Sequence, residues 1–366
     1  MLLTAVGLSV FLAYGTTAAV ARRIGAGDRP GAIQHGIDGL WLALLIGAAL
    51  ALLLGPAAPW WVGLIGGGAG QPVLDAAVTY LRWSTLGLPA MLAVLAATGV
   101  LRGLERTMPT LLVAVAGAIA NVPLNLLLVH GAGWGVAGSA IGTVIVQNAM
   151  AIALIGLVLR GAAGTALRPS PRRIGAAGRA GGPIVVRTLA LRVAILLTVA
   201  VGAAKGEVAL AGLQVTMNIW NLLALALDAV AIAAQALTAR ALGAGDAAQA
   251  RALTRLMLRW GTGAALALAV PVLLLAPAAG TLFTDDAAVR HAIAVGMVVL
   301  AAGLVVAGPV FVLDGVFLGA GDGRFLAVGS VAVLAVYLPA LGAVARLAPD
   351  GAAGLAWIWV VYTAVF

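Results

Sequence analysis

Residues 21–28 read ARRIGAGD, and residues 239–246 read ARALGAGD. Six of the eight letters agree across an offset of 218 positions. In each copy a glycine-rich stop follows a run of small apolar residues, and an Asp stands where it can cap the next helix, which is the pattern of a helix–turn–helix junction. The echo has company. Gly99 and Gly103 recur as Gly315 and Gly319, Pro123 as Pro339, and GVAGSA (135–140) as GAAGLA (351–356), all at an offset of 216. Several anchors in one order at nearly one offset define a parallel internal duplication, a common plan of secondary transporters.

Composition decides what is being repeated. The 366 residues are 63% hydrophobic and only 9% charged, with a mean hydropathy of +1.13. A soluble domain carries about a quarter charged residues. Stretches such as 40–54, 111–129 and 189–201 are almost free of charge. A membrane helix needs about 20 apolar residues, so the chain reads as a polytopic membrane protein. Strand alternation is absent and Ala and Leu dominate, which favours an all-α helix bundle over a barrel. The expected spans are 1–20, 36–58, 81–101, 109–130, 135–160, 182–204, 209–238, 252–278, 292–318, 325–346 and 351–366.

The net charge of +9 invites a nucleic-acid partner, but no basic and aromatic residues interleave as single-strand binders require. Placing alternate connections on one side collects most arginines there, among them Arg22, Arg23, Arg106, Arg172 and Arg240. The positive-inside bias then makes the GAGD turns cytoplasmic, in a multi-pass protein of the cytoplasmic membrane. No cysteine is present, so disulfides, thiolate metal sites and a Cys nucleophile are excluded. Met1 runs directly into apolar sequence without a basic n-region, so no cleavable leader is expected.

The Gly-, Pro- and Arg-rich stretch 161–181 divides the halves. The expected organisation is an N-terminal lobe at 1–165, a cytoplasmic linker at 166–181 and a C-terminal lobe at 182–366. The repeat also serves as a ruler. Moving the helix at 182–204 back by 218 places its counterpart about 35 residues before Met1. Two pseudo-symmetric six-helix lobes are therefore expected, with the first helix missing and the last one truncated.

Polar residues inside the spans carry the candidate chemistry. Asn121 and Asn125 are four apart and share a helix face. Each of Asn121 and Thr143 lies nine residues from the turn between their helices, about 13 Å deep at 1.5 Å per residue. The three side chains are expected to converge. Pro123 between the asparagines frees a backbone carbonyl. Amide, hydroxyl and carbonyl oxygens suit a hard cation such as Na+ or a proton relay; interhelical adhesion worth about 0.6–2 kcal/mol is the structural alternative. Asp228 and Asp314 are intramembrane carboxylates, candidates for proton exchange or for pairing with an arginine. Gln214, Asn218, Asn221 and Gln235 share the helix of Asp228 and are candidates to line a cavity. Arg187 is expected to snorkel to the headgroups and Arg192 to meet an acid. His35 and Asp38 are expected to cap a helix or be solvated. Pro89, Pro123, Pro271, Pro309 and Pro339 are candidate bending points, with Pro123 and Pro339 the expected hinges.

GVLRGLERTMPTL (99–111), followed by NVPLNLLLVHGAGWGVAGSAIGT (121–143), resembles the signature region of multidrug and toxic compound extrusion (MATE) transporters. RTLALR (187–192) and LDAVAIAAQALTARALGAGD (227–246) resemble the DinF-like branch. The resemblance implies a two-lobed antiporter and no enzyme. It would expel small organic, often cationic compounds by alternating access, against a H+ or Na+ flow and without a cofactor. It maps Asn121, Asn125 and Thr143 onto an N-lobe coupling site that also uses an Asp on a first helix absent from this sequence. A lipid-linked oligosaccharide flippase and a non-transporting remnant are the alternatives. A monomer in the bilayer is expected; substrate and coupling ion stay open.

Overall fold

The computed structural model describes residues 2–161 and 167–365. Every regular element among them is helical: α1 (Leu2–Leu8), α2 (Phe11–Gly25), α3 (Arg29–Leu54), α4 (Ala58–Ile65), α5 (Gln71–Thr85), α6 (Leu88–Gly103), α7 (Thr107–Leu126), α8 (Gly135–Leu159), α9 (Pro171–Ala204), α10 (Glu207–Gly243), α11 (Ala247–Ala279), α12 (Ala287–Ala320), α13 (Gly323–Leu347) and α14 (Ala352–Val365). Nine helical stretches among these residues are long and apolar enough to cross a membrane. A tenth candidate is the pair α5–α6, bent by 47°, and α14 is a shorter apolar helix.

The GAGD turns are built alike. Gly27 and Gly245 take left-handed φ values of 76° and 75°, where a side chain would be strained. Asp28 then caps α3 by accepting from Gly31 N at 2.9 Å, and Asp246 caps α11 by accepting from Gln249 N at 2.8 Å.

The chain divides into two compact units. The first holds the chain up to Val185 with Gly243–Gly245; the second holds Val186–Leu242 and Asp246 onward. Within the first, α6 packs against α2 and α3. A Cβ at Gly99 would collide with the carbonyl of Ala13, and one at Gly103 with the carbonyl of Thr17. Within the second, α12 packs against α11 and α14. Gly315 meets the Ala231 carbonyl and Gly319 the Gln235 carbonyl in the same way. The contacts match at offsets of 216 and 218, so the duplication is one of packing as well as of letters.

Several features differ from the sequence expectation, among them the break between α1 and α2 within the span expected at 1–20 and the short helix α4 beyond the span expected at 36–58. The span expected at 81–101 is two helices: Pro89 has no N–H for the carbonyl four residues back, and Gly87 yields beside it. Helix α9 starts at Pro171, eleven residues early, so most of the expected linker is helix. The reason is a buried stripe of Ile174, Gly181 and Ile184 with Arg172 and Arg179 outside, an amphipathic pattern that low hydropathy concealed. The expected boundary at 165/166 lies outside the described residues. Asp38 is neither a cap nor solvated. It is 2% exposed and accepts from Arg173 Nε at 3.1 and 3.0 Å through its two oxygens, while Trp41 Nε1 donates to the Leu167 carbonyl at 2.9 Å.

Replacing Gly315 by Val would force α12 from α10 and destabilise the protein by about 2 kcal/mol, the middle of the range for overpacking. Gly342 has open space around it, so Gly342→Val serves as the control. Thermal melting in detergent should separate the two; equal melting temperatures would refute the crossing.

Candidate functional site

In the first unit, α7 brings Asn121 and Asn125 together. Asn125 Nδ2 donates to Asn121 Oδ1 at 2.7 Å. Asn125 Oδ1 is buried and accepts no hydrogen bond; it lies against Gly142 of α8, where an added Cβ would stand 2.9 Å from it. Gly142 is therefore part of the site, missed in the sequence because a glycine offers no chemistry there. Pro123 lies between the asparagines, and the chain then widens into a π-turn at Leu127–Gly131, with Ala132 N donating to the Leu127 carbonyl at 2.8 Å. Such turns relieve a helix that a proline has deprived of a donor.

Thr143 points elsewhere. Its hydroxyl donates to the Ser139 carbonyl at 3.0 Å, and the side chain lines a cavity of about 840 Å3 whose lining includes neither asparagine. One helical residue is a rotation of about 100°, so with Gly142 turned to Asn125 the next side chain faces away. The expected three-way convergence is thus a pair of asparagines plus Gly142, with Thr143 in the adjoining cavity. That cavity runs among α1, α4, α5, α6 and α8. Its wall carries Trp61, Tyr80, Ser84, Met91, Thr143 and Gln147 and, among the described residues, no charged one.

The second unit fills the equivalent place. At an offset of 216 Thr143 becomes Trp359, which is fully buried and donates from Nε1 to Thr216 Oγ1 at 2.9 Å. Asn121 becomes Tyr337, also fully buried, whose hydroxyl shares a 2.6 Å hydrogen bond with Thr198. Pro339 lies within the continuous α13, and Pro271 and Pro309 lie within continuous helices as well.

Asp314 is paired with Arg187. The expectation had these arginines reversed: Arg192 is exposed and Arg187 supplies the ion pair. Five residues separate them, which turns Arg192 well away from the α12 side of α9. Asp228 is half-buried on α10, within electrostatic reach of Asp314. Gln214, Asn218 and Asn221 are exposed, whereas Gln235 is buried. None of these four lines the cavity that holds Asp314.

Arg187 and Asp314 side chains are 18% and 23% exposed, so removing one partner strands a largely buried charge. Arg187→Leu should cost about 3 kcal/mol, the lower end for a buried pair, and Arg187→Leu with Asp314→Leu should recover most of that. Arg192→Leu should be neutral. Thermal unfolding of the four proteins checks the order.

The family model MatE matches residues 1–127 and 183–341. Protein DETOXIFICATION 44, chloroplastic, of Arabidopsis thaliana is 31% identical over 298 residues, 80% of this chain and 56% of that protein. DNA damage-inducible protein F of Escherichia coli (strain K12) is 33% identical over 253 residues, 66% of this chain and 54% of that protein. The chain thus spans little more than half the length of these curated relatives. A Vibrio cholerae MATE transporter structure superposes with a TM-score of 0.88 at 22% identity, covering 98% of this chain and 82% of that chain. The duplicated bundle, the matched segments on both sides of the junction and the shared fold agree: the chain belongs to the MatE family of multidrug and toxic compound extrusion transporters.

Proposed function

We propose that this chain works as the membrane body of a secondary antiporter that expels small organic compounds, cationic ones among them, in exchange for H+ or Na+ by alternating access. One observation supports the reading above all. Where the second unit holds Trp359 in a packed core, the first carries Thr143 on the wall of an open cavity of about 840 Å3. The volume lies within the range of small-molecule sites, about 300–1,000 Å3. Trp61 and Tyr80 on its wall offer ring faces to an organic cation without a fixed counter-charge.

In this reading the asparagine pair couples ion to substrate. The free Asn125 oxygen and the carbonyls loosened around Pro123 are oxygen ligands on an apolar helix, suited to a small cation or a hydrated proton. Asn125 cannot titrate, so it positions the ion rather than carrying the proton. Because no charged group lines the cavity among the described residues, the lining favours an organic cation over an anionic lipid-linked sugar. The setting is a multi-pass membrane protein with its GAGD turns on the cytoplasmic side, which agrees with the charge bias.

Thr143→Trp copies into the first unit what the second already holds. Dye efflux from vesicles containing this chain should fall about tenfold or more in the variant, equivalent to about 1.4 kcal/mol of lost binding, while melting stays unchanged. Asn121→Ala should instead weaken the response to the ion gradient and leave dye binding intact. Full efflux by Thr143→Trp would sink the proposal.

A further inference from the structure

The second unit has a cavity of its own, about 380 Å3, among α9, α10, α12, α13 and α14. One wall is aromatic: Trp220 stands edge-on to Phe311 at 6.3 Å and to Tyr362 at 5.8 Å between ring centroids. Edge-on rings leave faces that receive another ring. The cavity also contains the Arg187–Asp314 ion pair and Ser330. That pair engages Arg187 Nη2 and Asp314 Oδ2. The guanidinium carries further N–H donors, and the carboxylate has a second acceptor oxygen.

The charges restrict what can enter. A ligand carboxylate would add a negative charge beside Asp314, with Asp228 already within electrostatic reach. An ammonium would have to draw Asp314 from Arg187 and strand a guanidinium among apolar side chains, which costs several kcal/mol. A head that both donates and accepts hydrogen bonds without net charge satisfies both partners and leaves the pair closed. A carboxamide is the simplest such group.

We propose that this cavity is a second ligand site, distinct from the cavity of the first unit, and that it takes small uncharged aromatic amphipaths with an amide-like head. The ring lies among Trp220, Phe311 and Tyr362, and the head bridges Arg187 and Asp314. The ion pair then acts as a neutral polar anchor, selecting against charged compounds instead of attracting them.

Three probes of one shape test this: 2-naphthamide, 2-naphthoate and 2-naphthylmethylammonium. Each is dialysed to equilibrium against the full chain in lipid nanodiscs, with empty nanodiscs correcting for partition into lipid. Saturable binding of the amide to one site is expected, about tenfold tighter than the ammonium and tighter still than the carboxylate. Val310→Trp fills the cavity from α12, and Gly329→Leu fills it from α13, where Gly329 has open space. Both should abolish amide binding while retaining the parent melting temperature. Should either variant fail to fold, the other carries the test. Thr143→Trp should leave amide binding untouched, which separates this site from the efflux reading. Equal affinity for the three probes, a charged probe binding tightest, no saturable amide binding, or amide binding retained in a folded cavity-filled variant would each overturn the proposal.

Discussion

The carbonyl of Ala13 lies against Gly99, and the carbonyl of Ala231 lies against Gly315. Everything else in each unit is arranged around that approach. Without a hydrophobic drive between helices in lipid, close packing between small residues is what holds them. The glycines let backbone meet backbone, and they recur one helical turn on at Gly103 and Gly319. Thr16 adds to the first crossing, with its hydroxyl on the Leu12 and Ala13 carbonyls of its own helix and 3.4 Å from the Ala96 carbonyl of α6. The crossing places α6 and α12 at the centre of their units, so both cavities have one of these helices in their walls.

From that common scaffold the halves have separated by side-chain volume. The second unit fills itself with Trp359, Tyr337 and Tyr362, tied by buried hydroxyl bonds to Thr216 and Thr198. The first carries Thr143, Asn121 and Val146 at the matching positions. A few side-chain changes on shared backbone thus accompany cavities of different place and size in the two units, about 840 and 380 Å3.

The fold was legible because its signals are strong and repeated. The GAGD turns and the glycines at 99, 103, 315 and 319 fix two halves and their order, and apolar runs fix most spans. Boundaries failed where hydropathy and helicity part company: residues 171–181 are polar enough to look like a linker yet wind into α9 because Ile174 and Ile184 find a buried face. Side-chain direction was the harder matter. Depth along a helix predicted that Thr143 would reach the asparagines, but azimuth decides, and Gly142 already occupied that direction. Likewise nothing in RTLALR tells which arginine meets α12; only the rotation of α9 within its unit does. The Asp38–Arg173 pair joins residues 135 apart, a distance across which one sequence carries no trace of pairing.

The bend between α5 and α6 reaches beyond geometry. A span broken in hydrocarbon leaves peptide groups without their helical partners, and such backbone is tolerated only where protein covers it or water reaches it. Pro89 cannot return a hydrogen bond to the carbonyl of Thr85, and Ser84 and Leu88 on either side of the break line the large cavity. The corresponding helix of the second unit, α12, runs unbroken past the equivalent Gly303. The bend is therefore part of the cavity wall and lies under protein cover, with Thr85 and Leu88 each 1% exposed, so that a compound entering the cavity packs against a turn of the chain and not against a regular helix.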